Sequence, residues 1–112
     1  MTRYLISFDD GTMIFPDGEL PEVARAAHDV VEEAKRAGVW FTGGGIEGQA
    51  VSVVATDGTV TESPYPETRP HIGGFSIVDV SSREDALAWA AKIAVACRCP
   101  QDVRELQHDP AV

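Results

Sequence analysis

Positively charged side chains are scarce in this chain. Its 112 residues include 9 Lys and Arg against 18 Asp and Glu, so the formal net charge is −9 at pH 7. No run of Lys or Arg interrupts this acidic character locally. Because a molecule of this charge repels polyanions, we expect no nucleic acid partner.

Long apolar runs are also absent. No segment contains the roughly eighteen consecutive apolar residues of a membrane-spanning helix. The apolar stretch that begins at Met1 meets Asp9-Asp10 before a secretory signal could develop. We therefore expect a soluble, cytoplasmic protein without a membrane partner.

Cysteine is limited to Cys97 and Cys99, which one residue separates. Two thiols this close cannot build a disulfide framework, so we expect them to be reduced. A Cys-x-Cys pair could hold a soft metal, but a closed zinc site needs about four ligands. His108 is the one further ligand nearby, and we therefore expect no metal.

The length and the pattern of the sequence predict one domain over residues 1–112. Alternating apolar residues predict strands, and apolar residues at intervals of three or four predict helices. The Asp57-Gly58 pair is a strong hairpin signal between two valine-rich segments. The predicted elements are a strand at 3–9, a helix at 21–37, strands at 39–42, 50–56, 59–61 and 75–80, a helix from 81 or 82 to before Pro100, and a strand at 103–106.

Each predicted helix carries boundary signals. Pro21 suits the first turn of the first helix, and Gly38 suits a left-handed residue just past its end. Ser81 with Glu84, or Ser82 with Asp85, forms a capping box at the start of the second helix. The residues predicted to face the sheet from this second helix are Leu87, Ala90, Ala91, Ala94 and Cys97, with Trp89 pointing elsewhere.

The order of these elements predicts an α+β fold whose antiparallel sheet has helices on one face. The strands are too apolar for the other face to remain in water. A second copy of the chain that covers this face would complete the structure, so we expect a homodimer.

Gly43-Gly44-Gly45 ends the predicted second strand. It lacks the lysine and the strand-to-helix context of a phosphate-binding loop. Its missing side chains could let another group approach the backbone closely, or they could mark a flexible strand end.

The segment 62–75 resembles the YCII-related proteins of the DGPF-motif type. Those proteins have Asp-Gly-Pro-Phe, one further residue and Glu-Thr-Lys before a Gly-Gly-aromatic strand. Here the matching residues are Glu62-Ser63-Pro64-Tyr65, Pro66, Glu67-Thr68-Arg69 and Gly73-Gly74-Phe75. The likeness extends to 84–90 and to His28.

The resemblance implies a ferredoxin-like βαββαβ protomer that dimerises into an α/β barrel, with a pocket between the sheet and the helices of each subunit. Similar barrels include lyases and isomerases that need no cofactor, so we expect none here. The aspartate of the motif falls on Glu62 in this chain.

His28 lies about 140° around the first helix from Val23, by the 100° step between helical residues. From there its imidazole could face a pocket and act as a general acid or base, with the Glu62 carboxylate orienting it. A histidine at the edge of the core that bonds to the backbone is the competing interpretation.

Four residues near the motif are candidates for binding a substrate. Tyr65 could donate its phenol or anchor the loop by packing. Arg69 could bind a carboxylate, or it could pair with Glu67 at the surface. His71 could line the mouth of a pocket or cap the following strand.

These residues are compatible with three functions. The first is a small enzyme that transfers protons on a small organic molecule, with His28 and Glu62 as catalytic residues and Tyr65, Glu67, Arg69 and His71 as substrate-binding residues. The second is a non-catalytic dimer that binds a small ligand and reports it to another protein. The third is an interaction module without a pocket.

Overall fold

The computed structural model describes residues 1–47, 51–63 and 71–112. Two helices and six strands follow one another along these residues in the predicted order. They are β1 (Thr2–Asp9), α1 (Leu20–Arg36), β2 (Trp40–Gly45), β3 (Val51–Val54), β4 (Val60–Ser63), β5 (Ile72–Val80), α2 (Arg83–Cys97) and β6 (Asp102–Glu105).

Four strands form one sheet in the order β2-β5-β1-β6, and each neighbouring pair is antiparallel. The remaining strands, β3 and β4, pair only with each other among the described residues. When this hairpin is set aside, the chain order is βαββαβ with β1 inside the sheet. The predicted α+β, ferredoxin-like fold is thus confirmed.

The helix α1 begins and ends where its boundary residues predict. Pro21 occupies the first turn, where a backbone donor is not needed, and Gly38 follows the helix with a φ of 76°. Val23 and Ala34 are buried against the rest of the molecule. The apolar stripe of α1 therefore faces inward, and its acidic side remains in solvent.

The N-cap of α2 is Ser82, whose Oγ accepts a hydrogen bond from the Asp85 amide at 3.1 Å. The preceding Ser81 instead donates to the Asp85 carboxylate at 2.9 Å. The structure therefore confirms Ser82 as the N-cap, with the side-chain acceptor bond of the second predicted capping box. At the other end, Arg98 adopts a left-handed conformation with a φ of 59°.

The predicted facing of α2 was wrong in part. Ala86, Ala90, Ala96 and Cys97 are its buried residues, whereas Leu87 is 43% exposed. Trp89, which was expected to point elsewhere, packs against the core. Because α2 carries small or apolar residues on nearly every side, its sequence contains too little contrast to define an inward face.

The core lies between the helices and one face of the sheet. Tyr4 and Ile6 of β1 and Val78 and Val80 of β5 point to this face and pack against alanines of α2. The opposite face, which we call the open face, carries Leu5, Ile77 and Phe41. Among the described residues no helix packs against the open face, so the sheet is covered on one side.

The hairpin formed by β3 and β4 (51–63), here called the hairpin arm, has a tight turn. Gly58 has a φ of 88°, and Asp57 accepts a hydrogen bond from the Thr59 amide at 2.8 Å. Val54 and Val60 pair across the strands but are 65% and 58% exposed. The radius of gyration is 15.7 Å, whereas a compact domain of this length has about 13 Å. The arm therefore projects from the body.

Within the described part of the chain, no helix has both the length and the apolar character needed to cross a membrane.

Candidate functional site

A cavity of about 390 Å³ lies between the helices and the covered face of the sheet. We call it the chamber. Large apolar residues from β1, the following loop, both helices and β2 form much of its wall, namely Phe8, Met13, Val31, Ile93 and Trp40. Side chains capable of hydrogen bonding or proton transfer also line it, namely His28, Lys35, Ser76, Cys97 and Gln101. Its smaller lining residues include Gly43, Gly44, Gly45, Ala27 and Ala96.

The Phe8 ring lies against Gly74, and Cη2 of the Trp40 ring lies against Gly43. A Cβ at Gly43 would fall 2.8 Å from Trp40 Cη2 and 2.5 Å from the Phe75 carbonyl oxygen. A Cβ at Gly74 would fall 2.7 Å from Phe8 Cε1. Real Cβ atoms essentially never make such short contacts. A side chain at Gly74 would overlap the Phe8 ring, and one at Gly43 would overlap both the Trp40 ring and the backbone of β5. Close approach therefore explains Gly43, whereas a Cβ at Gly44 or Gly45 would meet nothing within 4 Å.

Both aromatic residues stand at irregularities of the strand pairing. The register of β1 against β5 shifts between Phe8 and Asp9, and that of β2 against β5 shifts between Trp40 and Thr42. Bulges of this kind turn a side chain away from its regular direction and are frequent beside functional sites. Phe8 and Trp40 lie before these shifts, opposite Gly74 and Val78, so regular alternation already directs both rings to the covered face.

The mouth of the chamber is formed by one side of α1. His28, Val31 and Lys35 follow each other at intervals of three and four residues, so they share a face of the helix. His28 and Lys35 are exposed, whereas Val31 is half-buried. The Lys35 Nζ lies 3.5 Å from a carboxylate oxygen of Glu32, in a pair that is open to solvent. The basic groups therefore stand at the rim, above an apolar interior.

The C-terminal end of α2 contributes Cys97 to the wall, and Cys99 lies just beyond it. Both thiols are buried and unpaired. Burial is the main cause that raises the pKa of each thiol above its ordinary value, and the neighbouring Cys99 raises that of Cys97 further. The two residues are therefore neutral thiols at neutral pH, which are weak nucleophiles.

Gln101 is held by the same turn. Its Nε2 donates to the Cys99 carbonyl oxygen at 3.3 Å and approaches the Cys99 Sγ at 3.5 Å. In the described residues, no group of three His, Cys, Asp or Glu side chains is arranged to bind a metal ion.

The predicted catalytic residues lie on different elements. His28 lines the chamber from α1. Glu62 is exposed on β4, where its Oε1 accepts a hydrogen bond from the Ser52 hydroxyl at 2.7 Å, and it is not among the described residues of the chamber wall. Within one chain, the described structure therefore does not place Glu62 beside His28 at the chamber.

The predicted substrate-binding residues have two outcomes. Tyr65, Glu67 and Arg69 fall outside the described residues. His71 is half-buried immediately before β5, and its carbonyl oxygen accepts a hydrogen bond from the Asp10 amide at 2.7 Å. Of the predicted site residues that are described, only His28 lines the chamber.

Sequence reasoning did not identify Lys35, Trp40 and Phe8 as parts of the site. Lys35 had a detectable signal, because it follows His28 by seven residues and so shares its helical face. Trp40 also had a detectable signal, since an indole that precedes a glycine run by three residues can fold back onto those glycines. Nothing in the local pattern distinguishes Phe8 from a core residue.

Comparison with known proteins gives the family of the chain. No curated protein matches it. A family profile, the YCII-related domain, matches residues 18–98, which extend from the approach to α1 to the end of α2. This match includes His28 and every chamber residue on α1, β2 and α2. Because it covers well over half of the 112 residues, the chain belongs to the YCII-related domain family.

Proposed function

We propose that this protein is a small enzyme that performs acid–base chemistry on a small organic molecule held in the chamber. The observation that carries this proposal is the position of His28 at the mouth of a largely apolar cavity of about 390 Å³. Ligand pockets in proteins combine apolar walls with a few polar groups, and typically measure about 300–1,000 Å³. The chamber has both features.

In this proposal His28 transfers the proton. A neutral imidazole nitrogen removes a proton from a carbon next to a carbonyl group, and the electron pair of the broken C–H bond forms an enolate. The resulting imidazolium returns the proton to a different atom of the same molecule, so that the product is an isomer. Histidine suits both steps because its protonation changes near neutral pH. This chemistry needs no cofactor, and we propose none.

We retain Glu62 as the proposed partner that orients His28, and Tyr65, Glu67, Arg69 and His71 as proposed substrate-binding residues. The support is their position in the segment that resembles the DGPF motif. Ser52 occupies one oxygen of the Glu62 carboxylate in the hairpin arm. An approach of Glu62 to His28 would therefore require this hydrogen bond to be exchanged.

A second candidate function is a non-catalytic dimer that binds a small ligand and reports it to another protein. The engagement of Glu62 by Ser52 favours this candidate, because it leaves His28 without a carboxylate among the described wall residues. A histidine that only binds a ligand does not need an orienting carboxylate.

We further propose that residues 1–112 form one domain and that two copies associate into a barrel through their open faces. Leu5 and Ile77 are paired neighbours there, and Phe41 beside them is 51% exposed. The hairpin arm supports the same assembly, since a lone two-stranded hairpin is marginally stable in water. A second copy could cover both surfaces.

Two unpaired thiols support a reducing compartment, for which we propose the cytoplasm.

Proton transfer can be tested without knowledge of the natural substrate. In D₂O, NMR follows the exchange of the acidic C–H protons of phenylpyruvate and of other enolisable oxo acids, ketones and lactones. We expect the protein to accelerate exchange in at least one of these compounds. His28→Asn should then lower the rate roughly 100-fold or more, the usual contribution of a general acid–base group.

His108→Asn is the matched control, because His108 is exposed near the C-terminus and lies outside the chamber wall. A rate that depends on His28 and not on His108 supports the enzyme. No acceleration by the wild-type protein with any of these compounds would favour the binding dimer instead. Glu62→Gln then tests the pair, since a rate equal to that of the wild type contradicts the orienting role of Glu62.

A further inference from the structure

We infer that the ligand of the chamber is an aromatic carboxylate with a single ring, whose ring enters the apolar interior and whose carboxylate remains at the rim beside Lys35. This inference rests on the proposed role of the chamber as the ligand site. It goes further by specifying the charge, the shape and the orientation of the ligand.

The distribution of charge distinguishes the chamber wall from the rest of the surface. The chain contains 18 Asp and Glu residues, yet none of them is among the described wall residues of the chamber, which include Lys35 and His28. In a protein with a net charge of −9, a wall without carboxylates and with a permanent cation differs from the rest of the surface. Such a wall favours an anion, because its own residues offer a cation no opposite charge and the nearby Glu32 is already paired with Lys35.

Lys35 is available to bind the carboxylate of a ligand. Its ammonium group pairs only loosely with Glu32, at 3.5 Å and with both side chains more than half exposed. Exposed pairs of this kind contribute little free energy, so the ammonium can turn to a ligand at small cost. Gln101 is a weaker candidate for the carboxylate, because its amide nitrogen already donates to the Cys99 carbonyl oxygen.

The interior of the chamber suits an aromatic ring. The rings of Trp40 and Phe8 lie against Gly43 and Gly74 and line the chamber, so aromatic surface is present near the sheet. Aromatic rings stack or meet edge to face with such surfaces, which gives about 0.5–1.5 kcal/mol beyond simple burial. The cavity of about 390 Å³ is at the small end of ligand pockets. A ligand with a single ring fits this description.

The helix α1 sets the distance between the two basic residues of the chamber. His28 and Lys35 are seven residues apart, which is about 10 Å along the helix at 1.5 Å per residue. A carboxylate near Lys35 therefore lies about two helical turns from His28. This arrangement separates the binding charge from the group that transfers protons.

Binding of three probes of nearly equal shape tests the inference. Phenylacetate is the anion, phenylacetamide is its neutral analogue and phenethylamine is the cation, and titration calorimetry measures each. Charge-assisted hydrogen bonds are about twice as strong as neutral ones, and we expect phenylacetate to bind roughly tenfold more tightly than phenylacetamide, with the amine weakest. Cyclohexylacetate, an anion without a flat ring, should bind more weakly than phenylacetate.

Lys35→Met should remove the preference for the acid over the amide while leaving the affinity for the amide unchanged. Lys92→Met is the matched control, since Lys92 pairs with Glu33 on the surface and is outside the chamber wall. The inference is overturned if the amide binds as tightly as the acid, or if Lys35→Met retains the preference.

The outcomes also separate the inference from the proposed enzyme. Proton exchange that depends on His28, together with no preference for the anion, removes the inference alone. A preference for the anion that depends on Lys35, without proton exchange, supports the binding dimer and retains the inference. Failure of all the probes to bind removes the inference, and the absence of proton exchange as well removes the enzyme.

Discussion

The Cη2 atom of the Trp40 indole contacts Gly43 and lies 2.8 Å from the position that a Cβ of Gly43 would occupy. The two residues belong to the same strand, and the register of that strand shifts between them. One glycine therefore allows the ring to form part of the chamber wall.

The first prediction concerns Gly43→Ala. Its methyl group would meet both the Trp40 ring and the backbone of Phe75, so the strand or the ring must move. We expect the free energy of unfolding to fall by about 1–3 kcal/mol, as for other overpacked sites. Urea denaturation followed by tryptophan fluorescence measures this loss. The affinity for phenylacetate should fall with it.

Gly44→Ala is the control for this prediction, because a Cβ at Gly44 meets nothing within 4 Å. An alanine there should leave the stability unchanged, or raise it by up to about 1 kcal/mol through a smaller entropy of the unfolded chain. Equal losses in the two variants would contradict the role assigned to Gly43.

The second prediction concerns the start of α2. Ser82→Ala removes the side-chain acceptor of the Asp85 amide, and loss of an N-cap costs about 0.5–2 kcal/mol. Ser81→Ala removes only an exposed hydrogen bond to the Asp85 carboxylate, so its effect should be smaller. Thermal and urea unfolding of both variants compares them, and a larger loss at Ser81 would show that the other capping box operates in solution.

The third prediction concerns the stability of the protein at alkaline pH. Burial raises the pKa of Cys97 and Cys99 in the folded protein, so the unfolded thiols lose their protons first. The stability associated with the neutral thiols is complete below their ordinary pKa of about 8.5, and it is lost as the pH rises through the raised values.

The Cys97→Ala, Cys99→Ala double variant checks this sign. Between about pH 7.5 and about pH 9.5, the wild-type protein should lose more free energy of unfolding than the variant. Tyr4, whose pKa is also raised by burial, is present in both proteins and cancels in the comparison. Equal losses would show that the thiols ionise alike in the folded and unfolded states.

The fourth prediction concerns assembly. Sedimentation at micromolar concentration should give twice the chain mass of 12.0 kDa. Phe41→Glu replaces the ring that Arg3 packs over with a charged side chain, and it should shift the protein toward the monomer, because a charged side chain costs more to bury than an apolar ring. Leu87→Glu changes a similarly exposed apolar residue on the helix side and should leave the dimer intact. A wild-type protein that sediments as a monomer contradicts the proposed association.

The fold was largely predictable from local signals. Alternating residues identified β1, Asp57-Gly58 identified the hairpin arm, and Pro21 with Gly38 bounded α1. The inward face of α2 was not predictable, because Leu87 and Ala86 are both apolar and only tertiary packing distinguishes them.

The site was less predictable than the fold. The helical position of His28 could be derived from the sequence, but the chamber depends on contacts between distant segments. Trp40 and Phe8 reach the wall through the pairing of their strands with β5, which the sequence does not display. The position of Glu62 likewise depends on a cross-strand partner, Ser52, which becomes apparent only when the register of the hairpin arm is known.

The separate pairing of β3 and β4 has a consequence for how the molecule opens. The hydrogen bonds between these strands can break without disturbing the core, because the described strands of the arm share no ladder with the four-stranded sheet. Deuterium uptake at their amides should then follow local fluctuation, while amides of β1 and β5 should exchange only on global unfolding. In a dimer that covers the arm, its uptake should also slow as the protein concentration rises.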